Sequence, residues 1–91
     1  MSRNLIHEVW EDQNEDGDWL PGMCLSGPDG DGFRSLQSDK ARLVTRIEAG
    51  SHFEAMTKYH ELLGREPYTT DFGSDHEPYP ADWHARQSAS L

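Results

Sequence analysis

Hydrophobic and polar positions alternate with a period of two residues in three segments of the chain, which predicts three β-strands. The first covers residues 5–11 and the third covers residues 41–49, where β-branched residues strengthen the prediction. The second, residues 19–25, contains Pro21, which has no N–H group to donate to a neighbouring strand. We therefore place the second strand at a sheet edge, joined to the first by a polar hairpin loop over residues 12–18, the acidic loop.

A helical period replaces this alternation after Gly50, and it predicts the main helix at residues 51–63. Ser51 and Glu54 form the Ser-x-x-Glu pattern of a capping box, which marks a helix start. Gly64 ends the pattern as a residue suited to a left-handed C-terminal cap. The stripe expected to face the sheet consists of Phe53, Met56, His60 and Leu63, widened by Ala55, Tyr59 and Leu62.

Neither period continues beyond Gly64, where prolines become frequent. Residues 65–83 are therefore predicted to form an extended arm laid over the core, the aromatic arm, and residues 84–91 a frayed tail. The arm carries Tyr68, Phe72, Tyr79 and Trp83. These side chains either complete the core of their own chain or dock a partner, because aromatic rings bury large areas at little entropic cost.

The elements predict one small α+β domain over residues 1–83. A three-stranded antiparallel sheet and one main helix each have an apolar face to bury, so they are expected to pack as a two-layer sandwich. Leu, Ile, Val and Phe contribute only 15 of the 91 residues. That low share keeps open an alternative in which the fold becomes ordered only in a dimer or a complex.

Charge narrows the classes of partner. The net charge is −9, and residues 8–31 hold eight acidic residues with no lysine or arginine. An acidic surface repels phosphate backbones and attracts cations or basic partners, so direct nucleic-acid binding is not expected. The single cysteine, Cys24, excludes an intramolecular disulfide, and no segment has the apolar length of a secretory or membrane-spanning helix. Cytoplasmic residence is the expectation.

Two regions are candidate metal sites. The acidic loop matches the first half of an EF-hand calcium loop through Asp12, Asn14, Asp16 and Asp18. The twelfth position of such a loop falls on Met23, where a bidentate glutamate is needed. The arm offers a second set for zinc, Asp71, Asp75, His76, Glu77 and His84, without any paired ligand spacing.

Catalytic patterns are weak. Cys24 lies in a predicted strand, where a buried, inert thiol is the usual state, and no pair of carboxylates is distinguished from the many others. We therefore expect neither an enzyme nor a cofactor.

The run from Ile47 to Tyr59, Ile-Glu-Ala-Gly-Ser-His-Phe-Glu-Ala-Met-Thr-Lys-Tyr, is followed by Gly64 and by Tyr-Thr-Thr-Asp-Phe at residues 68–72. Together with Val9-Trp10 in the first strand, this run resembles a family of small uncharacterised bacterial proteins over about residues 7–80. The resemblance implies a bacterial origin and a soluble protein, and it implies no site.

Two functional classes follow. The first is a non-enzymatic interaction or regulatory module that uses the acidic loop or the aromatic arm (Tyr68, Phe72, Tyr79 and Trp83) to contact a protein partner. A basic protein, for which the acidic surface imitates nucleic acid, and a second copy of the chain are both candidate partners. The second class is a metal-binding protein that uses the acidic loop or the Asp/His-rich arm.

Overall fold

A computed structural model of the chain describes residues 4–90. Three antiparallel strands form its sheet in the order β2-β1-β3: β1 (Leu5–Gln13), β2 (Trp19–Leu25) and β3 (Arg42–Ala49). Three α-helices accompany them, α1 (Asp31–Ser35), α2 (His52–Leu62) and α3 (Ala81–Ser90), with short 3₁₀ turns at Pro28–Gly30 and Gly73–His76. The α+β class and the three-stranded sheet are confirmed.

The register of the sheet separates two kinds of surface. On β1, Leu5, His7 and Val9 alternate inward and are almost fully buried. The intervening Ile6 and Glu8 belong to the opposite face, which is only half-buried. Both outer strands pair with β1, and the pairing with β3 shifts after Val9, as at a β-bulge.

The main helix is capped by side chains at its start and by backbone groups at its end. The Ser51 hydroxyl accepts a 3.1 Å bond from the Glu54 N–H, and the Glu54 carboxylate accepts a 2.8 Å bond from the Gly50 N–H. At the other end Gly64 has φ +69°, and the N–H groups of Gly64 and Arg65 bond to carbonyls of the last turn. These two bonds define a Schellman motif. Its left-handed position, here Gly64, is adopted without strain by glycine, which has no Cβ atom.

The buried positions of α2 differ in part from the predicted stripe. Ala55 and Tyr59 are its buried residues, whereas Phe53 and His60 remain partly exposed and Leu62 is half exposed. The helix packs against β3 at an edge of the sheet, so only a narrow stripe meets the core. Phe53 and His60 instead contact aromatic rings of the arm.

The C-terminal region corrects the sequence prediction. Residues 84–90, expected as part of a frayed tail, belong to helix α3, which begins inside the predicted arm, and Leu91 lies outside the described residues. Gln87 on α3 is buried, with its side chain bonded to β1. The sequence did not predict α3 because the one buried residue of this helix is polar, so its sequence has no large apolar residues at a helical spacing.

Within residues 4–90, no helix has both the length and the apolar character that crossing a membrane requires.

Candidate functional site

An apolar cleft lies on the half-buried face of the sheet, where β1 and β2 meet the segment around α1. Its volume is about 250 Å³, and its apolar lining consists of Trp10, Leu20, Pro21, Gly22, Phe33 and Leu36. Glu11, Asp12 and Gln37 complete the wall. The register explains the lining, since Trp10 pairs with Gly22 and Asp12 pairs with Leu20 across the hairpin.

The absence of a side chain at Gly22 makes room for one wall of the cleft. A Cβ atom on Gly22 would lie 2.6 Å from Cζ of Phe33. The aromatic ring therefore rests directly on the backbone of β2. Leu36, just after α1, is 88% exposed, and Leu20 on β2 is 54% exposed. The cleft consequently presents apolar carbon to solvent.

Arg34 holds α1 in place beneath this wall. Its guanidinium donates to the carboxylate of Glu8 at 2.9 Å and to the Leu25 carbonyl at 3.1 Å, and it also bonds Asp31 and the Gly27 carbonyl. A guanidinium whose two Nη atoms donate to two carboxylates and two carbonyls is fixed in orientation as well as in position. The position of Phe33, one residue earlier, follows from that anchor.

Glu8 is the centre of the polar cluster behind the cleft. It accepts hydrogen bonds from Trp10 Nε1 at 2.9 Å and from the Ser26 hydroxyl at 2.8 Å, besides the bond from Arg34. Burial alone would raise the pKa of the Glu8 carboxyl, but these hydrogen bonds and the Arg34 charge outweigh burial and lower it. Glu8 is thus a structural anion that also orients the indole of Trp10.

The environment of Cys24 suppresses thiol chemistry. Burial, reinforced by the negative charge of Glu8, raises the pKa of the Cys24 thiol. The thiolate is the nucleophilic form, so this environment opposes the use of Cys24 as a nucleophile.

Two of the four predicted calcium ligands, Asp12 and Asn14, use their side-chain oxygens to accept hydrogen bonds inside the chain. Asp12 accepts hydrogen bonds from the backbone N–H and the hydroxyl of Ser38, which lower its pKa. Asn14 Oδ1 accepts from the N–H groups of Asp16 and Asp18, both at 2.9 Å, as an Asx residue does in a turn. The Asp and Asn residues of the loop are therefore explained by the hydrogen bonds that they accept from backbone N–H groups.

The Asp/His-rich arm does not gather into a ligand set either. Across residues 4–90, no group of three or more His, Cys, Asp or Glu side chains has the arrangement that could hold a metal ion. Asp75 instead accepts a 2.9 Å bond from the Tyr68 hydroxyl. The metal-binding hypothesis stays a prediction without a cluster to support it.

The four aromatic residues of the arm are not brought together on one surface. Tyr79 is buried and bonded to His7, and the Trp83 ring stacks on it at 5.7 Å. Tyr68 packs against Phe53 of α2, with 5.9 Å between ring centroids, whereas Phe72 is 72% exposed. Three of the four therefore pack against their own chain.

Tyr79 and Trp83 also border a second cleft of about 280 Å³, together with His52, Glu77 and the prolines on either side of Tyr79. The Tyr79 hydroxyl points away into the core toward His7, so this cleft offers mainly ring and proline carbon.

Sequence reasoning missed the first cleft, although a signal was present. Leu36 is a lone apolar residue between Ser35 and Gln37, and Trp19-Leu20 follows the acidic loop directly. Isolated apolar residues in polar segments are common on protein surfaces, so the pattern alone does not single them out. Only the fold brings Leu36 beside Leu20.

No family model, no curated protein and no solved structure matches this chain. The apolar cleft is the strongest candidate site, because it combines a concave shape with large apolar side chains left in water.

Proposed function

We propose that the protein is a non-enzymatic interaction module that binds a partner protein through the apolar cleft. The 88% exposure of Leu36 at this cleft carries the proposal. Full burial of a leucine side chain is worth about 1.5–3 kcal/mol, and a partner that covers the cleft recovers that free energy. Leu20, which is 54% exposed on the facing strand, adds to the gain.

The size of the cleft favours a protein side chain as the occupant. Pockets for drug-sized molecules and cofactors usually have volumes of about 300–1,000 Å³. A volume of about 250 Å³ lies just below that range and suits one or two apolar side chains. Interface energy is commonly concentrated in such anchors, each seated in a pocket.

The family resemblance and the cysteine content also suggest the cellular compartment in which the module works. A family of small bacterial proteins and a single free cysteine fit an acidic module in a reducing bacterial cytoplasm.

A comparative pull-down tests the proposal with three baits: the wild-type chain, Leu36→Ser and Phe72→Ser. Phe72 is the matched control, since it is 72% exposed and does not line the cleft. From an extract of the cells that express the protein, we expect a partner that wild type and Phe72→Ser retain. Leu36→Ser should retain about tenfold less of it.

Circular dichroism of the three baits establishes that all are folded, as the exposure of both positions leads us to expect. Equal retention by Leu36→Ser and wild type, or no specific partner for wild type, would overturn the proposal.

A further inference from the structure

We propose that the segment received by the cleft is rich in lysine or arginine and inserts one large apolar side chain between Leu20 and Leu36. This inference rests on the proposed function, and it names the chemistry of the partner. Its basis is the combination of apolar walls with negative charge at the rim that no ion pair within residues 4–90 neutralises.

The charges around the cleft are asymmetric. Asp12, the first residue of the acidic loop, lines the cleft, and the rest of the loop adds Glu15, Asp16 and Asp18. Within residues 4–90, none of these four carboxylates takes part in an ion pair. The neighbouring Glu11, in contrast, is paired with Arg42. A cationic segment would supply the positive charge that these four carboxylates do not receive from residues 4–90.

The two arginines nearest the cleft are already engaged. Arg34 is bonded to Glu8 and Asp31, and Arg42 lies over the Trp19 ring at 4.1 Å while it pairs with Glu11. Neither guanidinium is available to neutralise the acidic loop without giving up its present partners. The negative potential therefore faces solvent beside the cleft, where it steers an approaching cation.

The same charge disfavours other occupants. A second copy of the chain also carries a net charge of −9, so self-association through this face would bring two acidic loops together. Nucleic acids and anionic lipid surfaces are repelled in the same way. The carboxylates and the apolar walls together favour a segment that is both basic and apolar.

Two polar features limit how the segment is held. Trp10 contributes its ring face to the cleft but no hydrogen-bond donor, because its Nε1–H already donates to Glu8. The Gln37 side chain at the rim forms no hydrogen bond with the rest of residues 4–90, so its amide is available to a peptide backbone. We therefore expect an apolar anchor flanked by basic residues.

Selection of a random, phage-displayed peptide library on the immobilised full-length protein tests the inference. We expect the enriched sequences to combine several lysines or arginines with one large apolar residue. The best sequence is then synthesised with a fluorescent label, along with one version lacking the apolar residue and one with its basic residues changed to serine. Both altered peptides should bind about tenfold more weakly or worse.

Matched variants assign the charge effect to the rim. The first removes three charges from the acidic loop (Glu15→Gln, Asp16→Asn and Asp18→Asn). The second removes three exposed charges elsewhere (Glu61→Gln, Glu66→Gln and Asp71→Asn). At low salt the first should weaken binding of the selected peptide about tenfold and flatten its salt dependence, whereas the second should have a much smaller effect.

Failure of this inference differs from failure of the proposed function. Enriched peptides that are apolar but neutral or acidic, and that Leu36→Ser binds about tenfold more weakly, would overturn the basic partner and retain the cleft. Equal effects of the two charge variants would likewise overturn the role of the acidic loop. Peptides that bind Leu36→Ser as well as wild type, or no enrichment at all, would overturn both.

Discussion

At the residue scale, His7 is the polar centre of the core. It is 3% exposed, and its Nδ1 atom lies 3.1 Å from the Leu5 carbonyl and 3.3 Å from the Ile47 carbonyl. Carbonyl oxygens only accept hydrogen bonds, so Nδ1 carries the proton and Nε2 accepts from the Tyr79 hydroxyl at 2.8 Å. Burial lowers the pKa of His7 despite the two carbonyls, and burial raises the pKa of Tyr79 to about 12.

This pair predicts a dependence of stability on pH. The folded chain keeps His7 neutral, whereas the unfolded chain protonates it as the pH falls through its ordinary pKa of 6.5. The unfolded state then binds more protons, so the free energy of unfolding decreases from about pH 6.5 downward until the lowered pKa of the folded state is passed. Urea denaturation at a series of pH values measures the decrease.

A His7→Gln variant should lack the part of the slope above pH 5, where the carboxylates with lowered pKa values do not yet contribute. His84→Gln is the matched control, since it replaces a histidine outside the His7–Tyr79 pair. An identical slope in wild type and His7→Gln would contradict the assignment.

At the element scale, α3 is attached to the sheet by one side chain that imitates a peptide group. β2 ends at Leu25, and the backbone of Ile6 on β1 lies beyond that end. The Gln87 amide accepts from the Ile6 N–H at 2.8 Å and donates to the carbonyls of Ile6 at 2.8 Å and Ser26 at 3.0 Å. A two-pronged ion pair from Arg86 to Asp29, at 3.2 and 3.1 Å, aligns the helix.

Loss of this amide should release α3. In Gln87→Ala the Ile6 N–H and the Ser26 carbonyl lose the partner that Gln87 supplies, whereas the Ile6 carbonyl still accepts from the Ser26 N–H. A buried polar group left unsatisfied costs about 1–3 kcal/mol. We expect a decrease of about 2–3 kcal/mol in the free energy of unfolding and faster hydrogen exchange at the Ile6 amide. Exchange measured by nuclear magnetic resonance resolves that amide directly.

Ser88→Ala changes the neighbouring, exposed position and should leave both measurements near their wild-type values. An Ile6 amide that exchanges equally slowly in Gln87→Ala would show that α3 is held by other contacts.

The end of α2 allows a separation of backbone strain from packing. A Cβ atom at Gly64 would meet nothing within 4 Å, yet Gly64 has φ +69°. Gly64→Ala should therefore destabilise the fold by about 1 kcal/mol through the left-handed conformation alone. Gly73 has equally open surroundings without a positive φ, so Gly73→Ala is the control and should cost less. Thermal denaturation of both variants measures the two losses of stability. Equal losses in Gly64→Ala and Gly73→Ala would contradict the strain explanation.

At the scale of the whole molecule, net charge opposes compactness. The chain carries −9 overall, and the four carboxylates of the acidic loop are concentrated at one end of the hairpin. Mutual repulsion of like charges destabilises a folded state, and salt screens it over about 10 Å at 0.1 M.

Neutralising the loop should therefore stabilise the fold even though it weakens peptide binding. We expect the Glu15→Gln, Asp16→Asn, Asp18→Asn variant to unfold at a higher temperature than wild type at low salt, with a smaller further gain on adding salt. The control with Glu61→Gln, Glu66→Gln and Asp71→Asn should gain less, since those charges are dispersed. Calorimetry at low and moderate salt tests both, and a lower unfolding temperature for the loop variant would contradict the repulsion argument.

The sequence by itself determined the local elements. Alternation and β-branched residues predicted three strands, and the capping residues Ser51 and Gly64 predicted both ends of α2 to within a residue or two. These features depend on neighbours within about four positions, so a period or a cap residue suffices to reveal them. The α+β class followed from how such elements bury their apolar faces.

Tertiary structure alone decided which distant residues meet. Gln87 reaches Ile6, and Tyr79 reaches His7, across most of the chain length. Leu36 joins Leu20 only because Arg34 anchors α1 beneath the sheet. Each of these contacts joins residues far apart in sequence through a polar group or an isolated side chain. Such residues produce no periodic pattern in the sequence. The packing of α3 and the candidate cleft could therefore be recognised only in the folded structure.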